Sequence, residues 1–543
     1  MPLWLPPQLY AVSPPALRAT GSTGKAAADH DLPARRPAGE TVRASLHRAG
    51  CTDAAAMPAR GVLGPSRDAK PVSVLNHASP STASPDAALT LRSSACPGLL
   101  RIVAARDGGI CRIKLPGGEL GAAQAMVIAD ASAQHAAGVV EVTNRANLQV
   151  RGVRGGHESA LIAALIEAGL GPAAAASDVD AAGGLSASAA DDVRNVMVSP
   201  AAGRDPFALF DTRPLTLELL ALLQSEPRFA ALSPKFALLL DGGERLARLD
   251  HPHDVWLAAW QRPDGVRFAF GLAGCPPAAA SVTTAGSLSA VLPEQVIPLT
   301  RALLHTFLDL ANPEATRMRH LLAAQSVDAV LQRAQTYVDF PLSRDPLLAN
   351  WQRAPADASL RLGVHAQRAN GTAYAGGQPP LGRLDAAMLR GLATLARQHG
   401  DGMLRMTPWQ SVLLPNIPAD AAPAVLAAMN ARGLAVDPTQ PVARLIACAG
   451  SAGCTRSFAD TKADALRLAA RLPDGVDVHL SGCSRSCAAA HCAPFTLLAV
   501  APGTYDLYRR DGQPGFGHCV AHQLTIEQAA DMLEHLARSP LDA

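Results

Sequence analysis

Two stretches far apart in this chain carry one pattern of apolar and polar positions. Leu120–Thr143 (LGAAQAMVIADASAQHAAGVVEVT) and Leu384–Thr407 (LDAAMLRGLATLARQHGDGMLRMT) align without a gap at an offset of 264 residues. Ala129 matches Ala393, Gln134-His135 matches Gln398-His399, and Gly138 matches Gly402. Apolar residues at helical spacing, then a glycine, then an apolar run predict a helix that closes at the glycine and leads into a strand. His135 and His399 stand where a helix end leaves carbonyls open, and meeting those carbonyls is their expected role. A duplicated α+β unit with a long segment between its copies predicts the order A-B-A′-B′, with a cleft between copies for a large ligand. The joint between halves is expected around Ser343–Ser359, which is rich in proline and polar residues. Residues 1–92 lack such periodicity and are rich in Ala, Pro, Ser and Arg. They read as a mostly disordered extension, a transit segment or an over-extended start, with Met57 a candidate internal start. Ordered sequence is expected from about Cys96-Pro97-Gly98.

After the first copy the chain continues Asn144-Arg145-Ala146-Asn147-Leu148-Gln149-Val150-Arg151. Read as a strand, this places Arg145, Asn147, Gln149 and Arg151 on one face and Ala146, Leu148 and Val150 on the other. Two guanidiniums and two amides in a row suit carboxylates, because arginine presents paired donors that match a carboxylate's geometry. The alternative is a solvated strand face. The second copy has Trp409, Ser411, Leu413 and Pro415 at the same places, so the basic comb is present once, which favours a function over a requirement of the fold. Arg112 and Lys114, in Cys111-Arg112-Ile113-Lys114-Leu115-Pro116-Gly117-Gly118, form a second basic pair of one strand parity. Lys235, ahead of the apolar run Ala237–Leu240, is a third basic candidate.

Near the C-terminus Cys448 and Cys454 form C-x5-C, and Cys483 and Cys487 form C-x3-C after a gap of 28 residues. The gap holds a helical pattern over Asp460–Leu472, a Pro473-Asp474-Gly475 stop and a strand pattern over Val476–Ser481. Arg444–Ala447 reads as the strand that delivers Cys448, and Gly450 and Gly453 allow backbone to wrap closely around a bound group. One helix–strand unit thereby brings two distant thiol pairs together, as four-thiolate ligation of an iron–sulfur cluster requires. Structural zinc is the rival, but zinc modules favour closer pairs in shorter units. Cys492 and Cys519 are possible substitute ligands, and His479 shares strand parity with Cys483. Cys51, Cys96, Cys111 and Cys275 read as ordinary thiols.

Length and composition narrow the class. With 543 residues, 48% of them hydrophobic, the chain can bury several cores. A net charge of +2 provides no global field to recruit nucleic acid or an acidic membrane. No apolar run reaches the roughly 18–20 residues of a spanning helix. The start, MPLWLPPQLYAV, lacks a basic region before its apolar part. Ten cysteines in so long a chain suit a reducing compartment. The expectation is a cytoplasmic protein.

With the comb, the duplication and the cysteines in place, the chain resembles the nitrite/sulfite reductase superfamily over about residues 93–525. The resemblance implies ferredoxin-like half-domains alternating with cluster-type α/β domains. The first half-domain would span 93–160, followed by a cluster-type domain without cysteine ligands over 161–345. The second half-domain would span 356–420 and a 4Fe–4S-binding domain 440–530. It implies Cys448, Cys454, Cys483 and Cys487 as cluster ligands, and Arg112, Arg145 and Lys235 as anion-handling residues. The sulfite-reducing pattern is K-F-K; here the second lysine's place is taken by Ala237. Within the superfamily, Cys96-Pro97-Gly98-Leu99, Asp107-Gly108-Gly109, Thr143–Gly152, Ser233-Pro234-Lys235-Phe236, Leu240-Asp241-Gly242-Gly243 and His479–Cys483 resemble the precorrin-3B synthase family of aerobic cobalamin biosynthesis. Two departures follow Cys483: Ser486 stands where glycine is usual, and Ala488–Cys492 is longer.

That family likeness implies a monooxygenase that uses dioxygen and external electrons to hydroxylate precorrin-3A at C20, with γ-lactone formation. Its many-carboxylate substrate suits a clamp of Arg112, Lys114, Arg145, Asn147, Gln149, Arg151 and Lys235. It also implies a mononuclear non-haem iron, for which the sequence offers no trusted ligand pattern; His479 and His491 lie nearest the cysteines. No G-x-G-x-x-G follows a strand, so the expected donor is a separate ferredoxin or NAD(P)H-dependent reductase. The alternatives are a sirohaem-dependent sulfite or nitrite reductase, with Cys487 bridging cluster and haem, and a non-enzymatic tetrapyrrole-binding protein.

Overall fold

The duplicated pattern folds as two copies of one unit, each completed by a strand of the other. The computed structural model describes residues 96–173, 185–278, 287–489, 493–512 and 515–538. The extension expected at 1–92, and His491 and Cys492, lie outside the described residues. In the first copy β1 (Val103–Ala105), β2 (Gly108–Ile113), β3 (Glu119–Gly121), β4 (Val139–Val142) and β5 (Leu148–Val153) accompany the helix Ala122–His135. A second group contains β6 (Val196–Val198), β7 (Leu238–Asp241), β8 (His253–Arg262), β9 (Gly265–Gly274) and β10 (Ser289–Val291). The second copy has β11 (Gly363–Ala366), β12 (Thr372–Gly377), β13 (Arg383–Asp385), β14 (Met403–Met406) and β15 (Val412–Pro418) around the helix Ala386–His399. The last group has β16 (Leu445–Ala447), β17 (Val478–Ser481), β18 (Phe495–Ala501), β19 (Thr504–Arg509) and β20 (His518–Leu524).

The half-domain sheets run β1-β2-β5-β4-β13 and β11-β12-β15-β14-β3, so each takes its last strand from the other copy. Leu384 pairs with Val140, and Leu120 with Leu404, which are the same two positions exchanged between copies. The helices Ala122–His135 and Ala386–His399 pack together over one shared core that includes Leu120, Ile128, Leu384 and Leu392, all fully buried. Burying such a side chain contributes about 1.5–3 kcal/mol. The same tight turn precedes each exchanged strand: Gly117 and Leu381 have φ of 65° and 52°, and Gly118 and Gly382 have 71° and 75°. A Cβ at Gly118 would meet the Met406 carbonyl oxygen at 2.1 Å, so any side chain there breaks the crossing.

The other two sheets share a second topology. In β10-β9-β8-β7-β6 and β16-β17-β18-β19-β20, three parallel strands continue into an antiparallel hairpin. All four sheets lie within one compact unit. The helix expected over Asp460–Leu472 spans Thr461–Ala469, with the Asp460 carboxylate accepting from the Ala463 N–H. The strand expected from Val476 begins at Val478, after the Gly475 turn at φ 81°. Among the described residues no helix is long and apolar enough to cross a membrane.

Candidate functional site

Both cysteine pairs sit on loops leaving the parallel strands of the last sheet. β16 ends at Ala447 and delivers Cys448; β17 ends at Ser481 and delivers Gly482 and Cys483. The Cys448 N–H donates to the Leu480 carbonyl (3.2 Å), and the Gly482 N–H donates to the Cys448 sulfur (3.2 Å). Gly482 is required by close approach, because a Cβ there would lie 1.8 Å from the Ser457 hydroxyl. The short helix Gly450–Gly453 turns the chain toward Cys454, whose N–H donates to the Gly450 carbonyl (2.9 Å). All four thiols are free. The acidity of Cys487 is lowered first by desolvation and then by its neighbours Cys483, Cys448 and Cys454, which places the four in one electrostatic neighbourhood. Four thiols that repel one another as thiolates, with a backbone N–H aimed at one sulfur, fit a bound iron–sulfur cluster, whose iron removes that repulsion. Ser486 adopts φ 51° where a glycine would be unstrained, and its hydroxyl donates to the Ala489 carbonyl (2.6 Å).

The first half-domain reaches into these loops. Arg151 donates to both oxygens of Asp107 (2.9 and 2.8 Å) and to the Gly453 carbonyl (2.9 Å), and Asn144 donates to the Cys487 carbonyl (3.4 Å). Lys462 donates to the Leu381 carbonyl (2.7 Å) and lies 3.7 Å from Glu141, which also meets Arg383 at 2.9 Å. Glu141 is buried, and Lys462, Arg151 and Arg383 together overcome the desolvation that would raise its pKa, so it stays ionised.

A second locus is a recess at the starting ends of β6, β7 and β8, lined by Arg145, Asn147, Arg194, Asn195, Met197, Ala237 and His253. Its volume is about 20 Å³, room for one water-sized group such as a single oxygen of an acidic group, and not for a macrocycle. Burial, then Arg317 and Arg112, pushes Arg145 down to about 10. The nearby Asp254 is committed to Arg317, which contacts both of its oxygens at 2.9 Å, and to the N–H groups of Ala237 and Met318. Arg112 is also lowered by burial, and its Nε has no hydrogen-bond partner. His253 is 1% exposed, and neither ring nitrogen has a hydrogen-bond partner of good geometry. Desolvation, then His251, Arg145 and Arg317, holds it well below the usual histidine range, so it is neutral at pH 7. A buried guanidinium beside a neutral, buried imidazole, with the nearest carboxylate committed to Arg317, has the chemistry to accept an anion.

The comb is built differently from its sequence reading. Thr143–Asn147 is a turn, closed by the Thr143 N–H donating to the Asn147 carbonyl (2.8 Å), with Ala146 at φ 56°. The strand begins only at Leu148, so Arg145 leaves from the turn and Asn147 caps it. Asn147 accepts from the Leu115 N–H (2.9 Å), and Gln149 accepts from Arg112 (3.5 Å). Arg151 is bound to Asp107 and to the cysteine loop, and does not line the recess. Lys114 is buried with its amine donating to the carbonyls of Asp191 and Asp192 (both 2.7 Å), at the end of the helix Ala187–Val193; burial pushes its pKa down to about 8. Lys235 is exposed. His135 faces His157 at 3.2 Å between ring nitrogens, while the helix carbonyl at Ser132 is met by backbone. Cys519 lies on β20, at the opposite edge of the sheet from β16, and is not among the groups that act on Cys487. Sequence reading missed His253 and Arg317, because the first residue of a strand and the residue ahead of a short helix carry no periodic signal of a site.

The sequence family described as nitrite/sulfite reductase ferredoxin-like half domain matches residues 104–168 and 365–432, the two copies. The nitrite and sulphite reductase 4Fe–4S domain matches residues 189–342, the cluster-type domain whose only cysteine is Cys275. The chloroplastic ferredoxin–nitrite reductase of Zea mays is 30% identical over 410 residues, covering 71% of this chain and 68% of the relative. A precorrin-3B synthase of Sinorhizobium sp is 26% identical over 458 residues, covering 84% and 91%. The solved structure of Mycobacterium tuberculosis NirA shares the fold, with a TM-score of 0.65 at 22% identity over 80% of this chain and 82% of that one. The duplicated α+β architecture, the matched half-domains and these relatives together make the chain a member of the nitrite/sulfite reductase superfamily, a family of oxidoreductases.

Proposed function

We propose that the chain is an oxygen-dependent precorrin-3B synthase. The observation that carries the reading is the recess around Ala237. The second lysine of the sulfite-reducing pattern is absent there, and Arg145 and a neutral His253 remain. The matched precorrin-3B synthase also aligns over more of both chains than the Zea mays nitrite reductase described above. In the proposed reaction one atom of dioxygen enters the C20 hydroxyl and the other leaves as water, using two electrons from a ferredoxin or reductase and two protons. Arg145, with Arg112 behind it, holds one peripheral carboxylate of precorrin-3A in the recess, and the macrocycle lies outside it. His253, neutral, accepts a hydrogen bond from a protonated group or water at that carboxylate. Arg151, Asn144 and Lys462 fix the cysteine loops against the first half-domain. Cys448, Cys454, Cys483 and Cys487 would hold a 4Fe–4S cluster, which would relay the electrons of that external donor. A mononuclear iron does not fit the recess: one imidazole stands there among arginines, and among the described residues no three metal-ligating side chains converge on it.

A second reading is favoured by the 30% identity to a nitrite reductase and by a recess that suits a small oxyanion. It is a sirohaem-dependent reductase. The visible spectrum of the purified protein separates the two. Cluster absorption without a sirohaem band, and no reduction of nitrite or sulfite, is expected; a sirohaem band with nitrite turnover would overturn the synthase reading.

A further inference from the structure

The register of the C-terminal hairpin breaks twice, and the breaks gather three metal-ligating side chains. Tyr505 pairs with Leu524 and Leu507 with Ala521, so two steps on β19 meet three on β20. Leu507 pairs with Ala521 and Tyr508 with Cys519, so one step meets two. Gln523, at φ 54°, absorbs the first break. In a regular strand Cys519 and His522, three apart, would face opposite sides. The bulge between Cys519 and Ala521 shifts the parity, and both turn to the face opposite the core residues Tyr505 and Leu507. Asp506, between those two core residues, shares that outer face.

The three ligand atoms lie within 4.8 Å of one another. His522 Nδ1 is 3.2 Å from Asp506 Oδ2 and 3.6 Å from the Cys519 sulfur. Tetrahedral zinc, with Zn–S of about 2.3 Å and Zn–N and Zn–O of about 2.0–2.1 Å, sets edges of about 3.5 Å between sulfur and nitrogen and about 3.3 Å between nitrogen and oxygen. The two measured edges are of that size; the sulfur also lies 3.7 Å from His522 Nε2, so the exposed ring turns on metal binding to aim one nitrogen at the ion. The remaining Asp506 oxygen accepts from the Gln523 N–H (2.9 Å), which fixes the carboxylate as an outer partner fixes a metal ligand. His522 is 72% exposed, so one face of the group opens to solvent. The Cys519 thiol also donates to the Ala521 carbonyl (3.4 Å).

We infer that Asp506, Cys519 and His522 bind one zinc-class divalent ion with water in the fourth position, pinning the bulged edge strand β20 to β19. A thiolate, an imidazole and a carboxylate in a tetrahedral arrangement select zinc over hard cations. The site is separate from the cysteine cluster: β20 lies three strands from β17, about 14 Å at the usual spacing.

The test uses the full chain with its cluster intact, loaded with Zn²⁺ and desalted. Zinc and iron are measured by elemental mass spectrometry, and alkylation of Cys519 by iodoacetamide is followed by peptide mass. Wild type should retain about one zinc per chain, and Zn²⁺ should slow Cys519 alkylation roughly tenfold or more. Cys519→Ser and the exposed-site variant His522→Ala should each lose that zinc with iron unchanged, while His518→Ala on the same strand should keep it. Complete loss of zinc from wild type on desalting, retention in both ligand variants, unprotected Cys519, or loss of iron in place of zinc would each overturn the proposal.

Discussion

The two cluster-type domains share a sheet and differ in what fills its loops. Superposing Val196–Leu238 on Leu445–Val478, the paired residues of their first two strands, puts Ser199 at Cys448, Gly242 at Gly482 and Gly243 at Cys483. The supporting contacts also repeat: the Phe210 N–H donates to the Gly242 carbonyl at 3.0 Å as the Phe458 N–H does to Gly482 at 2.9 Å. In both loops the glycine allows close approach, since a Cβ on Gly242 would meet the Phe210 carbonyl oxygen at 2.3 Å. In the first domain, however, the Ser199 hydroxyl donates to the Leu246 carbonyl (2.6 Å), and the loop after β7 is closed by a buried ion pair. Arg353 donates to both oxygens of Asp241 (2.7 and 2.9 Å) and to the Glu244 carbonyl (2.6 Å). The loop glycines belong to the architecture, and only the thiols distinguish the domain proposed to hold a metal cluster.

The comparison can be broken most strongly at the thiols. Cys483→Ser should reduce cluster iron and sulfide to background, read by metal analysis and visible absorption, whereas Ser199→Ala should leave both unchanged. Equal loss in both variants would end the distinction between the domains. In the cysteine-free loop, Arg353→Ala leaves Asp241 buried and unpaired; we expect a loss of about 3–5 kcal/mol in denaturant unfolding, with cluster iron retained. Arg145→Ala should weaken precorrin-3A binding by roughly 10–100-fold, the scale of one hydrogen bond to a charged group, without loss of iron. Cluster loss in that variant would make Arg145 a structural residue.

A subtler effect comes from Glu244. Burial, then Asp241, pushes it up to about 8. Between the unfolded value of about 4.3 and that folded value, the folded protein holds the extra proton, so this group's stabilising contribution falls as pH rises. The slope approaches ~1.4 kcal/mol per pH unit where one full proton differs. Glu244→Gln should flatten unfolding curves measured across that window; an unchanged slope would show that another group sets it. The smallest effect is expected at exposed Lys235: Lys235→Ala should change stability by less than about 0.5 kcal/mol and leave binding near wild type.

Much of the fold was legible because the repeat recurs at a fixed offset, and the offset reappears in the structure as exchanged strand pairs, Leu120–Leu404 and Leu384–Val140. The cysteine loops were legible because strand, glycine and thiol follow one another in sequence. The comb was misread because Ala146 enters the left-handed region, which alternation cannot signal for a non-glycine residue. Lys114 and Arg151 looked free because the groups they meet, Asp191, Asp192 and Gly453, come from distant segments. His253 reaches the recess through the parallel pairing of β7 with β8, a tertiary fact with no local pattern.

The most direct test of the synthase reading is incubation of the purified protein with precorrin-3A, a reductant and isotopically labelled dioxygen, followed by mass analysis of the product. The account predicts a lactone product carrying one labelled oxygen atom, formed only when reductant and dioxygen are both present. Precorrin-3A recovered unchanged under those conditions, or a hydroxylated product labelled only from water, would contradict it.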